Sequence, residues 1–139
     1  MKVQTEHSDV TGRLAAAGLR PTRQRVLLGG LLFCEGHRHV TAELLYREAM
    51  AQGFGVSLAT VYNTLHQFTK ARLLREVSVE GGRSYFDTNV SSHHHFLCED
   101  TGQLTDIPEE AIALANLPLP PEGRRISSID VVIRLRGAS

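Results

Sequence analysis

Three consecutive histidines carry the most distinctive chemistry of this 139-residue sequence. They stand at positions 93–95, inside a stretch that has the pattern of a β-strand. Residues i and i+2 of a strand share a face, so we expect His93 and His95 to converge on one point while His94 faces the other way. Two imidazoles spaced in this way suit zinc, iron or manganese, and solvated histidines on a loop are the alternative.

Carboxylates complete the coordination shell of the harder divalent metals, and the sequence offers two candidates. Asp87 precedes a predicted hinge, Asp106 lies on the next predicted strand, and His39 stands before the third predicted helix. A five-ligand set would then draw on both halves of the chain: His39, Asp87, His93, His95 and Asp106. A metal ion held by that set would fix the angle between the two halves.

The same histidines, His93, His94 and His95, could instead ligate heme iron through an imidazole. Cysteine chemistry is not suggested, because the only two cysteines, Cys34 and Cys98, lie in no CxxC, CxxCH or Cys-Pro context. We expect each of them to be a small buried hydrophobe. The residues by themselves leave a free metal ion and heme open as alternatives.

A second candidate for chemistry is a predicted helix with an uncharged polar face. Ser57 caps this helix, and its apolar stripe is predicted at Leu58, Val61, Leu65 and Phe68. The opposite face is predicted to carry polar side chains: Thr60, Asn63, Thr64 and Gln67, with Tyr62 at the edge. A plain amphipathic helix with a solvated face is the alternative interpretation.

DNA binding is favoured by the chemistry of that face and by its surroundings. Asn63 and Gln67 suit bidentate contacts with adenine, Tyr62 can reach a base or a phosphate, and Ser57 at the helix N-terminus can hold a phosphate oxygen. Basic residues bracket the helix and could grip the DNA backbone: Arg20, Arg23, Arg25, Lys70, Arg72 and Arg75.

The elements around this helix predict a winged-helix domain over residues 1–87. Three helices are predicted before it: residues 10–19, a helix capped by Thr22 with an inward face of Val26, Leu27, Leu31 and Leu32, and a helix from Thr41 to about Gln52. Gly29 and Gly30 are interpreted as a position of close packing. Strands over 74–79 and 83–87 flank a tight turn at 80–82, which gives a β-hairpin.

The rest of the chain predicts a hinge at 88–92 and a small α/β dimerization domain over 93–139, so the fold class is α+β. Strands are expected over 93–99 and 103–107 around a turn at 100–102, then a helix from Pro108 to Leu117 and a strand over 125–136. About 47 residues are too few to form a stable core alone, and pairing with a second copy would cover the open sheet edge.

Charge and hydropathy limit the class of protein. The net charge is zero, but residues 13–75 carry nine basic and three acidic side chains, whereas residues from 81 onward carry five basic and eight acidic ones. The two halves therefore face different partners. No apolar run is long enough to span a bilayer and the N-terminus is unlike a signal peptide, so we expect a cytoplasmic protein with no membrane partner.

Along nearly its whole length, from Leu19 to Leu135, the chain resembles the ferric uptake regulator (Fur) superfamily, and within it the iron response regulator (Irr) branch. The segments that carry the resemblance are GLRPTRQRV, RHVTAELLYREA, VSLATVYNTLHQF, YFDTNVSSHHHF and IDVVIRLR. The resemblance implies a homodimeric winged-helix repressor or activator that binds double-stranded operator DNA and controls iron uptake and heme biosynthesis genes.

The resemblance also implies roles for residues. The regulatory metal site of the family falls on His39, Asp87, His93, His95 and Asp106, with aspartates where many relatives carry glutamate. Its DNA contacts fall on Arg20, near the minor groove, and on Tyr62 and Asn63, where many relatives have arginine at the position of Asn63.

Two departures from the family pattern bear on cofactors. Many relatives hold a structural zinc with two CxxC pairs, but here the first pair survives only as Cys98 with Thr101, so no structural zinc held by four cysteines is expected. The N-terminal Cys-Pro heme motif of some Irr proteins is also missing, so any response to heme must depend on the histidines.

The leading interpretation is a regulator modulated by heme or by a divalent metal (iron, manganese or zinc), and not an enzyme. A manganese- or peroxide-responsive Fur-type regulator is one alternative. A small metallo-hydrolase that activates water at the His/Asp cluster is another, but the sequence offers neither a glycine-rich substrate loop nor a general base apart from the ligands.

Overall fold

The computed structural model describes residues 2–34, 36–79, 82–91 and 93–138, with side chains from residue 9 onward. The chain divides into two units, Met1–Val90 and Ser91–Ser139. No helix in these described ranges is long and apolar enough to cross a membrane.

The N-terminal unit contains four helices, three of which begin at the predicted hydroxyl caps. Thr22, Thr41 and Ser57 each accept a hydrogen bond from the backbone N–H three residues later. The first helix begins at Lys2 and not at the predicted residue 10, and it ends at Ala16 before Gly18, whose φ is +79°. The helices are α1 (Lys2–Ala16), α2 (Arg23–Phe33), α3 (Ala42–Ala51) and α4 (Leu58–Lys70).

The inward faces of α2 and α4 differ from the predicted ones. Leu28 and Leu32 of α2 are fully buried, whereas Val26, Leu27 and Leu31 are only half-buried. The prediction for α2 is therefore confirmed for Leu32, and Val26 and Leu31 pack against the core from half-buried positions. It missed Leu28, because a mostly apolar helix gives little contrast from which the buried face can be identified. In α4 the predicted Val61, Leu65 and Phe68 are buried, but Leu58 is exposed in the first turn.

Three short strands form the sheet of the N-terminal unit in the order β1-β3-β2. The predicted hairpin is present as β2 (Arg75–Ser78) and β3 (Ser84–Asp87), paired antiparallel, and the added strand is β1 (His39–Val40). Residues 80 and 81 of the predicted turn lie outside the described residues, and Gly82 has the positive φ of +75° that a tight turn requires.

The C-terminal unit contains a three-stranded sheet with β4 (His93–Cys98) at its centre. β4 pairs antiparallel with β5 (Leu104–Pro108) around the predicted turn, and parallel with β6 (Val132–Leu135). The strand predicted over 125–136 is therefore much shorter, and two of its apolar residues, Ile133 and Leu135, are exposed on the edge strand.

The helix predicted from Pro108 to Leu117 does not form. Only a single 3-10 turn is present, Glu109–Ala111, and Ile112 is already extended. Pro108 supplies no side-chain cap, and Asn116 has a left-handed φ of +57° just before a proline-rich stretch. A helix of ten residues is marginal in water, so without a cap or a favourable C-terminus it is not expected to persist.

Gly29 is a position of close packing, as predicted, whereas its neighbour is not. A Cβ at Gly29 would lie 2.7 Å from Cγ1 of Val10 in α1, but a Cβ at Gly30 would have no atom within 4 Å. Val10 is 2% exposed and its β-branched side chain has little freedom to turn away. The contact between α1 and α2 therefore depends on the missing side chain at Gly29.

We expect Gly29→Ala to lower the free energy of unfolding by about 1–3 kcal/mol, the usual cost of overpacking a core. The matched variant Gly30→Ala should raise it by up to about 1 kcal/mol, because alanine favours helix and meets no steric obstacle here. Urea unfolding followed by circular dichroism measures both values. Equal effects of the two substitutions would contradict the close contact.

Candidate metal ligands and DNA-contacting helix

In the C-terminal unit, strand alternation brings two imidazoles and one carboxylate together. His93 and His95 project from the same face of β4, and Asp106 is the partner of His95 in β5. Oδ1 of Asp106 lies 3.1 Å from Nε2 of His93 and 3.4 Å from Nε2 of His95. Both imidazoles are buried, whereas the Asp106 side chain is 34% exposed. The unit thus holds three potential metal ligands in one place.

Backbone hydrogen bonds give His93 and His94 different chemistry. Nδ1 of His93 lies 2.6 Å from the carbonyl oxygen of Ser91, and a carbonyl can only accept, so this nitrogen carries the proton. In a neutral His93 the lone pair is then on Nε2, which faces the Asp106 carboxylate. Two acceptor atoms at that distance require a proton or a metal ion between them. This is the arrangement in which metal-binding histidines are usually fixed.

His94 has the opposite arrangement and lies on the other face of β4. Its Nδ1 accepts a hydrogen bond of 3.1 Å from the backbone N–H of Val131. A neutral imidazole that accepts at Nδ1 carries its proton on Nε2, which then has no lone pair for iron. His94 is buried and lines a cleft of about 420 Å³ together with apolar side chains such as Ile112 and Ile129. Its geometry does not fit the predicted role as a heme ligand.

In the N-terminal unit, His39 and Asp87 form a second pair of potential ligands. They are direct neighbours across β1 and β3, and Nε2 of His39 lies 3.1 Å from Oδ2 of Asp87. The Asp87 side chain is fully buried, and its Oδ1 accepts a hydrogen bond from the backbone N–H of Asn89 at 2.8 Å. Oδ2 is therefore the oxygen that is directed at the imidazole.

The backbone on both sides of this pair is fixed by one arginine. The Arg38 carbonyl accepts from the Thr88 N–H, and the Arg38 N–H donates to the Thr88 hydroxyl. The Arg38 guanidinium forms two bonds, of 3.0 and 2.6 Å, with the Glu48 carboxylate of α3. A bidentate arginine–carboxylate pair has a defined geometry as well as charge attraction. The ligand pair His39 and Asp87 is thus tied to the helical core.

The exposed face of α4 contains most of the residues predicted to contact DNA. Tyr62, Asn63 and Gln67 are exposed, and Ser57 and Thr60 lie at the helix N-terminus, where Oγ of Ser57 accepts from the Thr60 N–H. Thr64 is only 4% exposed, because the buried stripe of α4 follows positions 61, 64, 65 and 68. Thr64 therefore belongs to the core, and its predicted contact with DNA is wrong.

Two residues on that face have partners inside the N-terminal unit. The Tyr62 hydroxyl donates to Oε1 of Glu43 in α3 at 2.6 Å, which lowers the pKa of Glu43 and raises the pKa of Tyr62. Oε1 of Gln67 accepts from two nitrogens of Arg25. The Asn63 amide makes none of the side-chain hydrogen bonds found among the described residues. On this face, Asn63 is thus the amide whose N–H donor and carbonyl acceptor are both left for an outside partner.

His66 is an exposed residue of the same face that the sequence interpretation missed. Its ring stacks on Tyr62 at a centroid distance of 6.4 Å and meets the edge of Phe86, next to Asp87, at 5.6 Å. The spacing of four residues from Tyr62 was the available signal, since residues i and i+4 share a helix face.

The two cysteines are free thiols, and neither is the fully buried hydrophobe that was predicted. Cys34 is exposed at the end of α2 and Cys98 is half-buried at the end of β4. The side chain of Thr101 forms a hydrogen bond with Cys98, which lowers the pKa of its thiol.

Comparison with known proteins gives one consistent result. Residues 16–133 match the sequence profile of the Ferric uptake regulator family. A ferric uptake regulation protein of Pseudomonas aeruginosa is 38% identical over 100 residues, which are 71% of this chain and 75% of that protein. The same-named protein of Shigella flexneri is 35% identical over 106 residues, 76% of this chain and 72% of its own length.

A solved structure agrees with the sequence matches. The ferric uptake regulator of Pseudomonas aeruginosa, determined with manganese, superposes with a TM-score of 0.69 at 28% sequence identity. The superposition covers 94% of this chain and 98% of that one. The fold is therefore that of these regulators, a DNA-binding domain followed by a small α/β domain.

We expect Asp106→Asn to weaken the binding of Co²⁺, a spectroscopic probe for divalent metals, by at least about tenfold, because the carboxylate that faces both imidazoles is lost. The control is Glu110→Gln, which removes the same charge from an exposed position near the end of β5. Visible absorption titrations of the full chain measure both affinities. An Asp106→Asn variant that binds Co²⁺ as tightly as the control would exclude this carboxylate as a ligand.

The hydrogen bonds of the histidines also predict how each one behaves toward hemin. His93→Gln should reduce the Soret shift that hemin produces, whereas His94→Gln should leave it unchanged because Nε2 of His94 carries a proton. Absorption titrations of the two variants and the wild-type chain make the comparison. A loss of the shift in His94→Gln alone would contradict the assigned tautomers.

Proposed function

Since the chain belongs to the ferric uptake regulator family, we propose that it is an iron-responsive transcription regulator, a repressor or an activator, that binds operator DNA. Metal-responsive regulation of transcription follows from the family, whose members are transcription regulators and not enzymes. The proposed targets are genes for iron uptake and heme biosynthesis, as the resemblance to the Irr branch implies. A regulator of this kind acts in the cytoplasm.

One observation carries the sensing part of the proposal: two buried imidazoles and a carboxylate converge in the C-terminal unit. Imidazole and carboxylate ligands together suit iron, manganese and zinc. The Pseudomonas aeruginosa relative was solved with manganese, which supports a divalent ion of this class. A bound ion supplies the positive charge that lets His93, His95 and Asp106 remain close together.

We extend this site to five ligands by adding His39 and Asp87. Three side chains are fewer than the five or six that iron and manganese commonly take, and His39 with Asp87 offers the same two chemical types. An ion shared by both pairs would tie the DNA-binding half to the C-terminal half. Metal binding would then favour one arrangement of the two halves, which is a physical link between metal concentration and DNA affinity.

Heme is the second candidate signal, since the resemblance to Irr proteins implies it. His93 could serve as an axial ligand through Nε2, whereas His94 could do so only after losing its hydrogen bond with Val131. A structural zinc held by four cysteines has no ligands here, because the chain contains only Cys34 and Cys98.

The proposed dimer is supported by the surface of the C-terminal unit. Several of its large apolar side chains are exposed in a single copy: Leu114, Leu117, Leu119, Ile126, Ile133 and Leu135. Soluble proteins rarely expose so many apolar groups within a short segment unless another surface covers them. A homodimer would bury part of this area and place two α4 helices for two operator half-sites.

The DNA contact is proposed for α4 and for the segment before α2. Asn63 offers a donor and an acceptor to a base edge in the major groove, and Tyr62 stands beside it. Arg20 is exposed just before α2 and supplies a positive charge for the minor groove, as the resemblance implies.

The decisive experiment measures binding of the full chain to an iron-regulated promoter by fluorescence anisotropy, with apo protein, Mn²⁺-loaded protein and heme-loaded protein. A metal-responsive regulator requires that affinity differ between apo and Mn²⁺-loaded protein, and that it fall as salt rises. Binding that is identical in all three states would contradict the sensing function. Absence of binding to any duplex would contradict the DNA-binding function.

We expect Asn63→Ala to weaken promoter binding by at least about fivefold, because each good base contact contributes about 1–3 kcal/mol of discrimination. Gln103→Ala is the control, since it truncates an exposed amide in the C-terminal unit. A metallo-hydrolase would be indifferent to both changes in this assay. Equal affinity of the two variants would remove α4 from the proposed interface.

A further inference from the structure

We propose that Arg25 is a positioning residue that couples α4 to the segment carrying Arg20, so that the major-groove and minor-groove contacts form one unit. This inference rests on the proposed function, because it concerns how the chain binds operator DNA. Arg25 is not among the residues predicted to contact bases, and the sequence marked it only as part of the basic surroundings.

The geometry of Arg25 joins two parts of the N-terminal unit. Its Nε and Nη2 donate to Oε1 of Gln67 at 3.3 and 3.2 Å, and its Nη1 donates to the carbonyl oxygen of Arg20 at 3.0 Å. The backbone N–H of Arg25 donates to the cap residue Thr22, which holds the base of the side chain in the first turn of α2. The Arg25 guanidinium thus connects α4 with the backbone of Arg20.

This arrangement changes what Gln67 can do. Oε1 of an amide has two lone pairs, and Arg25 donates two hydrogen bonds to that atom. A bidentate contact with adenine needs this oxygen to accept from the N6 amino group while the amide nitrogen donates to N7. With the oxygen taken, Gln67 retains only donors, which suit a phosphate oxygen or a purine N7. Gln67 therefore does not select adenine in the bidentate manner predicted from the sequence.

The same arrangement fixes the backbone of Arg20. Its carbonyl oxygen accepts from the Thr22 N–H at 2.9 Å as well as from Arg25, while its side chain remains exposed. The proline that follows restricts the backbone of Arg20 further. A side chain mounted on an ordered backbone loses less conformational entropy when it binds, so the anchoring favours the Arg20 contact.

The role requires an arginine and not simply a positive charge. The planar guanidinium offers several donors in a fixed fork, which reach Gln67 and Arg20 at the same time. A lysine would keep the charge but would present a single ammonium group. Arg23, two residues earlier, is exposed and makes none of the side-chain hydrogen bonds found in the described ranges, so it supplies a matched control for charge.

The test is a double-mutant cycle on promoter affinity, measured by anisotropy with the Mn²⁺-loaded full chain. Arg20→Ala is introduced into the wild type, into Arg25→Lys and into the control Arg23→Lys. We expect the substitution to weaken binding about tenfold in the wild type and in the control. In Arg25→Lys its effect should fall below about threefold, because the tether is already lost.

Each outcome of the cycle has a defined meaning. A full tenfold effect of Arg20→Ala in the Arg25→Lys background would show that the sites act independently and would overturn the coupling. If Arg20→Ala has a reduced effect in both Arg25→Lys and Arg23→Lys, the cause is any arginine-to-lysine change in α2 and not the contact of Arg25 with Gln67. This result would also overturn the coupling. If the wild type binds no promoter, the proposed function itself fails. If it binds and the losses of affinity from Arg20→Ala and Arg25→Lys simply add, only the coupling is rejected.

Discussion

The alternation of side chains along β4 is the constraint on which the candidate sensing site depends. The three adjacent histidines of β4 are all buried, and the alternation divides them between the two faces of the strand. Backbone groups then select the protonated nitrogen: the Ser91 carbonyl for His93 and the Val131 N–H for His94. His93 and His94 thereby become two different chemical groups, one suited to bind a metal and one that accepts a hydrogen bond from the segment before β6.

The surface of α4 that is proposed to contact DNA follows a related principle, because its side chains are not independent. Glu43 of α3 holds Tyr62, and Arg25 of α2 holds Gln67. Each of these partners restricts the rotamers that its residue can adopt, which lowers the entropy lost on binding. Asn63 stands between them with its amide available. On this proposed surface Asn63 can adjust its side chain to a base, whereas Tyr62 and Gln67 are already oriented in the absence of DNA.

Local signals in the sequence predicted local structure, and signals that depend on tertiary contacts failed. Helix starts at Thr41 and Ser57 were predictable, since a hydroxyl cap acts within three residues. The position of His93 and His95 on one face was also predictable, because side chains alternate along a strand. The burial of Thr64 also has a local signal, since positions 61, 64, 65 and 68 have the i, i+3, i+4, i+7 spacing of one helix face, but its polar side chain led to the opposite prediction. The partners of Gln67 lie 42 residues away in sequence, and no pattern within α4 signals them.

The connection from β5 to β6 has a consequence for local stability. β5 ends opposite His93 and β6 begins opposite His95, so the connection starts and finishes at the same end of the sheet. Here the connection after Ala111 contains no helix up to β6. Its amides therefore lack a ladder of their own, and hydrogen exchange in this connection is expected to run far ahead of exchange in β4. Any surface that covers the connection would slow that exchange, so deuterium uptake between residues 112 and 131 can serve as a direct readout of assembly.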